Sequence, residues 1–251
     1  MAKIYAVTGK GGTGKTVLSA LIIRHLKNHA TGPGLALDAD PDSNLATVLG
    51  IPVEKTVGDL REETVKAVKD LPAGMSKSHY IEAGLHEIVV ETEKVDLITM
   101  GRAEGPGCYC YVNNLLRQFS DKLQSSYDWI VVDNEAGLEH LSRRTATRID
   151  QLFVVVNANP LSIECAGRID EITADLQYGV SHKSLLANNV NDENMLAEIR
   201  RRTANLNMEF LGSVPHDAEM ERMVFEGRSL FELDQSPAAA RIDELMSQMK
   251  E

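Results

Sequence analysis

The sequence predicts a single-domain α/β fold: a doubly wound, mostly parallel sheet with helices on both faces. Three observations predict it. Short, fully apolar runs alternate with longer amphipathic segments, the pattern of βαβ units. Runs such as WIVVD and LFVVVN have no polar face, as strands buried between two helical layers require. Every loop of unusual chemistry follows a strand, and open α/β sheets bind ligands outside the carboxyl ends of their strands. No linker marks a second domain, so one domain is expected over residues 1–251.

In chain order, Ile4 to Thr8 (IYAVT) reads as a buried strand. Thr16 to Asn28 carries Leu18, Leu21, Ile22 and Leu26 at helical spacing. GLALD, Gly34 to Asp38, is a strand followed by a polar turn. Thr56 to Leu71 reads as a charged helix and VDLITM, Val95 to Met100, as a strand. From Tyr111, apolar residues at 112, 115, 116, 119 and 123 form a helical stripe. Trp129 to Asp133, Leu152 to Asn157, Ser184 to Asn188 and Phe210 to Val214 are further strands. Asn159-Pro160 opens a helix with a good N-cap and a proline at its first position. Glu193 to Asn205, Asp217 to Glu226 and Pro237 to Lys250 are helical. Residues 51 to 94 are the least regular stretch and read as a candidate insertion.

Composition narrows the function. A net charge of −11 argues against a general binder of nucleic acid or anionic membranes, whose phosphates attract basic surfaces. No apolar run is long enough to span a bilayer, and MAKIYAVTG runs into a strand rather than forming a signal peptide. Three cysteines make no disulfide framework, which fits a reducing, cytoplasmic setting.

Gly9 to Thr16, GKGGTGKT, fits G-x-x-x-x-G-K-[ST], the P-loop, between a strand and a helix, so the predicted fold is that of a P-loop NTPase. Glycines let successive backbone N–H groups converge on one anion, and the helix N-terminus adds partial positive charge. Gly11, Gly12, Thr13, Gly14, Lys15, Thr16 and Val17 are therefore the candidate nucleotide-binding residues. Lys15 reaches the β- and γ-phosphates of ATP, and Thr16 offers its hydroxyl to Mg²⁺. With Lys10 directly after the first glycine, the motif resembles the deviant Walker A signature of the MinD/ParA and nitrogenase-iron-protein class of ATPases. The resemblance implies a nucleotide-sandwich homodimer, in which Lys10 touches the phosphates held by the other subunit.

DADPDSN, Asp38 to Asn44, is either a turn rich in Asp and Pro or a cluster of carboxylates beside the nucleotide. The resemblance implies that Asp40 positions the attacking water and that Asp38 stands near Mg²⁺. Asp133 ends a strand, like a Walker B aspartate on the metal's water shell. In NEAG, Asn134 and Glu135 depart from the family's usual form; Glu135 is either a second polarising group or simply exposed, while Gly137 can let the backbone move. His140 has no metal partner one turn on and reads as structural or surface. By resemblance only, Asn188, Pro215 and Asp217 match the family's adenine-binding positions.

Cys165 shares a helical stripe with Ile169, Ile172 and Leu176 and reads as core. Cys108 and Cys110 differ. In extended chain they face one side, suited to one Zn-like ion and too far apart for a disulfide. Two thiolates are half a tetrahedral site, so a two-fold partner would complete it with Ni²⁺ or Zn²⁺. GKGGTGKT, DADPDSN, CYC and VVDNEAGLEHLSRR together resemble the CooC-type ATPases that assist nickel insertion into carbon monoxide dehydrogenase, with the acetyl-CoA synthase maturation ATPases as near relatives. That resemblance implies an ATPase and metallochaperone: a homodimer promoted by ATP and metal, with a nickel-enzyme client and no nucleic-acid or membrane partner. Two alternatives stand beside it. One is a MinD/ParA-type positioning switch, against which PAAARIDELMSQMKE has few basic residues. The other is an electron-transfer ATPase with a bridging iron–sulfur cluster, against which the loop after WIVVD holds no cysteine.

Overall fold

The computed structural model describes residues 2–67, 77–102, 126–134, 148–175 and 179–249. Eight strands form one sheet: β1 (Lys3–Gly9), β2 (Gly34–Asp38), β3 (Val89–Val90), β4 (Val95–Thr99), β5 (Trp129–Asp133), β6 (Arg148–Val156), β7 (Gly179–Asn188) and β8 (Glu209–Val214). Their order is β3-β4-β2-β5-β1-β6-β7-β8, and only the β3–β4 pair is antiparallel. The described helices are α1 (Lys15–His29), α2 (Asn44–Leu49), α3 (Val57–Ala67), α4 (Lys77–Glu87), α5 (Pro160–Asp175), α6 (Glu193–Thr203), α7 (Ala218–Phe225) and α8 (Pro237–Gln248).

The strands divide their side chains between two cores, which is why they carry no polar face. Tyr5, Val7, Trp129, Val131, Phe153 and Val155 pack with α1, α2, α7 and α8. Ile4, Ala6, Ile130, Val132, Leu152 and Val154 pack with α3, α4, α5 and α6 on the other side. The predicted doubly wound sheet is what forms. Because β5 inserts between β2 and β1 while β6 pairs on the far side of β1, the chain reverses direction across the sheet at β1. The carboxyl ends of the strands around this reversal open the crevice where such folds place ligands.

The described parts of residues 51–94 are built into the core rather than inserted on it. Leu60 of α3 and Leu85 of α4 are buried with Ile88, and a Cβ added to Gly84 would stand 2.2 Å from Leu60 Cδ1. A two-residue strand and a six-residue helix are too short to show periodicity, so β3 and α2 were invisible in the pattern. Cys165 is half-buried against the α5 side of the core, and Ile169 is fully buried, but Ile172 is 40% exposed. A stripe fixes a helix face, not how far along the helix the neighbouring layer extends. The cysteine loop with Cys108 and Cys110, the stripe after Tyr111, Glu135, Gly137, His140 and Leu176 lie outside the described residues. No helix among the described residues is long and apolar enough to cross a membrane.

Candidate nucleotide-binding site

The glycine-rich loop follows β1 at the centre of the sheet and closes on itself through Thr13. Thr13 Oγ1 donates to the Lys10 carbonyl at 2.8 Å, and the Thr13 N–H reaches the same oxygen at 3.3 Å. Gly14 then caps α1 in the left-handed region at φ 87°, where a Cβ would collide with Asn188 Nδ2 at 2.2 Å. Gly9 is equally constrained: at φ 149° its Cβ would stand 2.5 Å from the Val155 carbonyl oxygen. Above Gly11 and Gly12, by contrast, a Cβ would meet nothing within 4 Å, so the loop turns bare backbone toward open space. No side chain caps α1 and no acidic residue sits in its first turn, which leaves its N-terminal N–H groups free for an anion. Lys15 is buried at the root of this helix, and Thr16 and Val17 are half-buried beside it.

Two carboxylates face this loop from neighbouring strands. The register pairs Val7 with Asp133 and Asp38 with Asp133, and the ladder runs on through Ala39 N–H to the Asp133 carbonyl (2.9 Å) and Asn134 N–H to the Val7 carbonyl (3.1 Å). Both aspartates are essentially inaccessible, at 0% and 1% exposure. Asp38 accepts from the Leu45 N–H at 2.9 Å and the Asp40 N–H at 3.2 Å. Burial and the nearby Asp133 charge nevertheless push its pKa up to about 7. Asp133 accepts from Ser19 Oγ at 2.9 Å through one oxygen, while its Oδ2 is buried without a partner. Burial raises Asp133 to about 6, with the Thr16 and Ser19 hydroxyls and the Lys15 charge pulling the other way.

Two adjacent buried carboxylates, an orphaned carboxylate oxygen and a threonine hydroxyl form a hard oxygen donor set, and this fits Mg²⁺. Buried like charges are costly unless a cation neutralises them, so the pair is built for an occupant.

Asp40 lies half-buried in the turn after β2. Its Oδ1 accepts from the Asp42 N–H at 2.9 Å and its carbonyl from the Ser43 N–H at 3.0 Å, so the residue does form the Asp-Pro turn that the sequence allowed. Lys10 is half-buried at the outer edge of the loop. Asn188, at the end of β7, donates its amide to the Thr13 carbonyl at 2.8 Å and so braces the phosphate loop. Pro215 and Asp217 follow β8; Asp217 is buried, and its carboxylate caps α7 through the Met220 N–H at 3.0 Å and also accepts from the Ala238 N–H at 3.2 Å and the Ser236 hydroxyl. The structure thus gathers Lys15, Thr16, Asp38, Asp133 and Asn188 around one loop.

Sequence reasoning missed two residues here. Ser19 holds the Asp133 carboxylate; a fully buried serine on the apolar stripe of α1 was the available signal. Asn134 ties β5 to β1 by donating to the Val7 carbonyl at 3.0 Å.

The fold and the loop have counterparts among known proteins. A ParA family ATPase from Chlorobium tepidum TLS superposes with a TM-score of 0.73 over 99% of each chain at 18% identity. The MinD septum site-determining protein of Pyrococcus horikoshii OT3, solved with Mg-ADP, gives 0.69 over 98% of this chain and 94% of that one, at 19% identity. Sequence relatives are nearer. An uncharacterized ATP-binding protein of Methanocaldococcus jannaschii is 43% identical over 235 residues, 93% of this chain and 92% of that protein. The carbon monoxide dehydrogenase accessory protein CooC of Rhodospirillum rubrum is 30% identical over 247 residues, 93% of this chain and 90% of its own. The CbiA family model matches residues 4–230, a span that runs from β1 past the phosphate loop, both buried aspartates and the Asn188 brace. With that span and that loop, the chain belongs to the CobQ/CobB/MinD/ParA nucleotide-binding domain family.

Proposed function

We propose that the protein is a Mg²⁺-dependent ATPase and metallochaperone that assists nickel insertion into carbon monoxide dehydrogenase or the related acetyl-CoA synthase. The observation that carries this reading is the near full-length similarity to CooC, in a chain that also holds Cys108 and Cys110 one residue apart.

In this reading the backbone of Gly11 to Gly14 and the free end of α1 cradle the β-phosphate, and Lys15 supplies the fixed positive charge. Thr16, Asp38 and Asp133 hold Mg²⁺, with Ser19 orienting Asp133. When bound, the ion neutralises charge on the β- and γ-oxygens. Asp40 orients the attacking water, and its turn hydrogen bonds hold the carboxylate in place. The Asn188 amide and the loop of Pro215 and Asp217 flank the adenine. Lys10 reaches the phosphates of the partner subunit, so ATP draws two chains together. Cys108 and Cys110 of each chain then share one Ni²⁺ or Zn²⁺ across the interface. Metal and nucleotide are thereby linked, since each favours the same dimer.

Two measurements on the full chain test this. Metal content and mass in solution are recorded with and without ADP, for the wild type and for Cys110→Ser. The expected result is one thiolate-bound ion per dimer, lost in Cys110→Ser; one tightly held thiolate-bound ion per monomer would overturn the shared site. Lys10→Ala is expected to keep nucleotide binding but lose hydrolysis and the ATP-driven dimer, and normal turnover in that variant would refute the cross-subunit role. A brown protein after anaerobic purification would point to an iron–sulfur cluster instead.

A further inference from the structure

The far end of α1 from the phosphate loop carries a second group of ligand-type side chains. His25 and His29 lie one helical turn apart near its C-terminus, and Asp243 of α8 meets them there. One ligand atom from each of the three lies within 4.8 Å of the other two. The rings stack with centroids 4.3 Å apart and planes at 23°.

Each ring is already held by one nitrogen. His25 Nδ1 lies 2.8 Å from Asp243 Oδ1, and His29 Nδ1 lies 2.8 Å from the His25 carbonyl oxygen. A carboxylate and a carbonyl only accept, so in the neutral rings both Nδ1 atoms carry the proton; an ion taking the place of the proton between His25 Nδ1 and Asp243 Oδ1 meets both atoms, with that proton moving to His25 Nε2, while His29 offers the free lone pair of its Nε2. Metal-binding histidines are oriented as His29 is, by an acceptor on the second ring nitrogen. His25 is buried and His29 is exposed, so the cluster opens to solvent on the His29 side. The helix terminus adds partial negative charge that favours a cation.

We infer that His25, His29 and Asp243 bind one divalent transition-metal ion per chain, of the Zn²⁺, Ni²⁺ or Cu²⁺ type that prefers imidazole with carboxylate. Ligands at about 2.1 Å on opposite sides of an ion stand about 4.2 Å apart. Tetrahedral neighbours at the same length stand about 3.4 Å apart, so closing from 4.8 Å takes about 0.6–1.4 Å, and His29, exposed at the surface, can supply it. Water fills the remaining positions. Arg24 Nη1 stands 3.6 Å from Asp243 Oδ2 and opposes the charge of an incoming cation, so the affinity expected is of roughly micromolar order.

This site is independent of the cysteine reading, because its donors are nitrogen and oxygen and its position is the opposite end of α1. The test uses the full-length Cys108→Ser/Cys110→Ser protein, titrated with Zn²⁺ by equilibrium dialysis and with Co²⁺ by absorption. The expected result is one ion per chain, with weak d–d bands and no intense thiolate charge-transfer band. Affinity should fall at least tenfold in His29→Ala and in Asp243→Asn, with the circular dichroism of each variant matching that of its parent. No Zn²⁺ binding at about 100 µM, a thiolate band, or unchanged affinity in His29→Ala would overturn the inference. If the shared cysteine site is wrong but this one right, the wild type and the double cysteine variant will bind the same single ion.

Discussion

At the scale of single residues, the site depends on charges placed where water cannot screen them. Lys15 keeps only 8% of its surface exposed. A buried lysine answers to a counter-charge, and its neighbour Asp133 and the incoming phosphates are the ones available. Lys15→Ala is expected to weaken MgATP binding at least about 100-fold, the loss of a charge-assisted contact worth roughly 3 kcal/mol; calorimetric titration with MgADP and MgATP checks it. Asp40 carries a different expectation. Asparagine retains an oxygen that can accept from the Asp42 N–H, so Asp40→Asn should keep the turn, the fold and nucleotide binding. Turnover should drop by roughly 10²–10⁴, the usual scale of a lost general base. Unchanged phosphate release in a steady-state assay would move the role to another residue. The phosphate loop was legible in the sequence because backbone geometry, glycine and lysine make it within eight contiguous positions. The turn and the proposed carboxylate role of Asp40 fall on the same residue, and no sequence pattern separates them.

At the scale of elements, one side chain fastens two helices. Asp217 accepts from the Met220 N–H at the start of α7 and from the Ala238 N–H at the start of α8, while Ser236, itself bonded to Asp217, accepts from the Ala239 N–H at 2.9 Å. Asp217→Ala would strand several buried donors at once. The expected cost is roughly 2–4 kcal/mol, read as a lower midpoint in urea or heat. Burial works to raise the pKa of Asp217, but the Ser236 hydroxyl and the backbone N–H groups outweigh it and hold the group below its ordinary value. A depressed carboxylate contributes stability above its unfolded pKa of about 3.9 and loses it as pH falls through the folded value. The difference in stability between wild type and Asp217→Ala should therefore shrink in acid. The helices themselves were readable: α7 begins at Ala218 behind its Asp217 cap and α8 at Pro237 behind its Ser236 cap, where the chain signals a start. Their joint cap was not, because it depends on α8 returning beside β8.

At the scale of the whole molecule, the parallel register concentrates negative charge. Adjacent strands end in Asp38 and Asp133, and their pKa values stand at about 7 and about 6. Raised carboxyl pKa values contribute stability that is full below about 3.9 and lost as pH rises through the folded values. The nucleotide-free protein should thus lose thermal stability between about pH 4 and pH 7. MgADP should flatten this slope, because the cation replaces the protons. Asp38→Asn should flatten it without ligand. A melting series across this range, with and without MgADP, checks both; a flat profile for the nucleotide-free wild type would contradict the charge pair.

The sequence by itself determined the layer architecture, the strands around the ligand crevice and the phosphate loop. These follow from periodicity, apolar runs and glycine placement, all of which act over a few contiguous residues. Only the tertiary structure decided which distant groups meet. Ser19 reaches Asp133 across 114 residues, Asn188 reaches Thr13 across 175, and His25 reaches Asp243 across 218. Strand order and register bring such groups together, and burial in the finished core then shifts their proton affinities. Desolvation belongs to the folded neighbourhood and not to any stretch of chain, so the raised aspartates and the histidine pair could be found only once the sheet and its helices were in place.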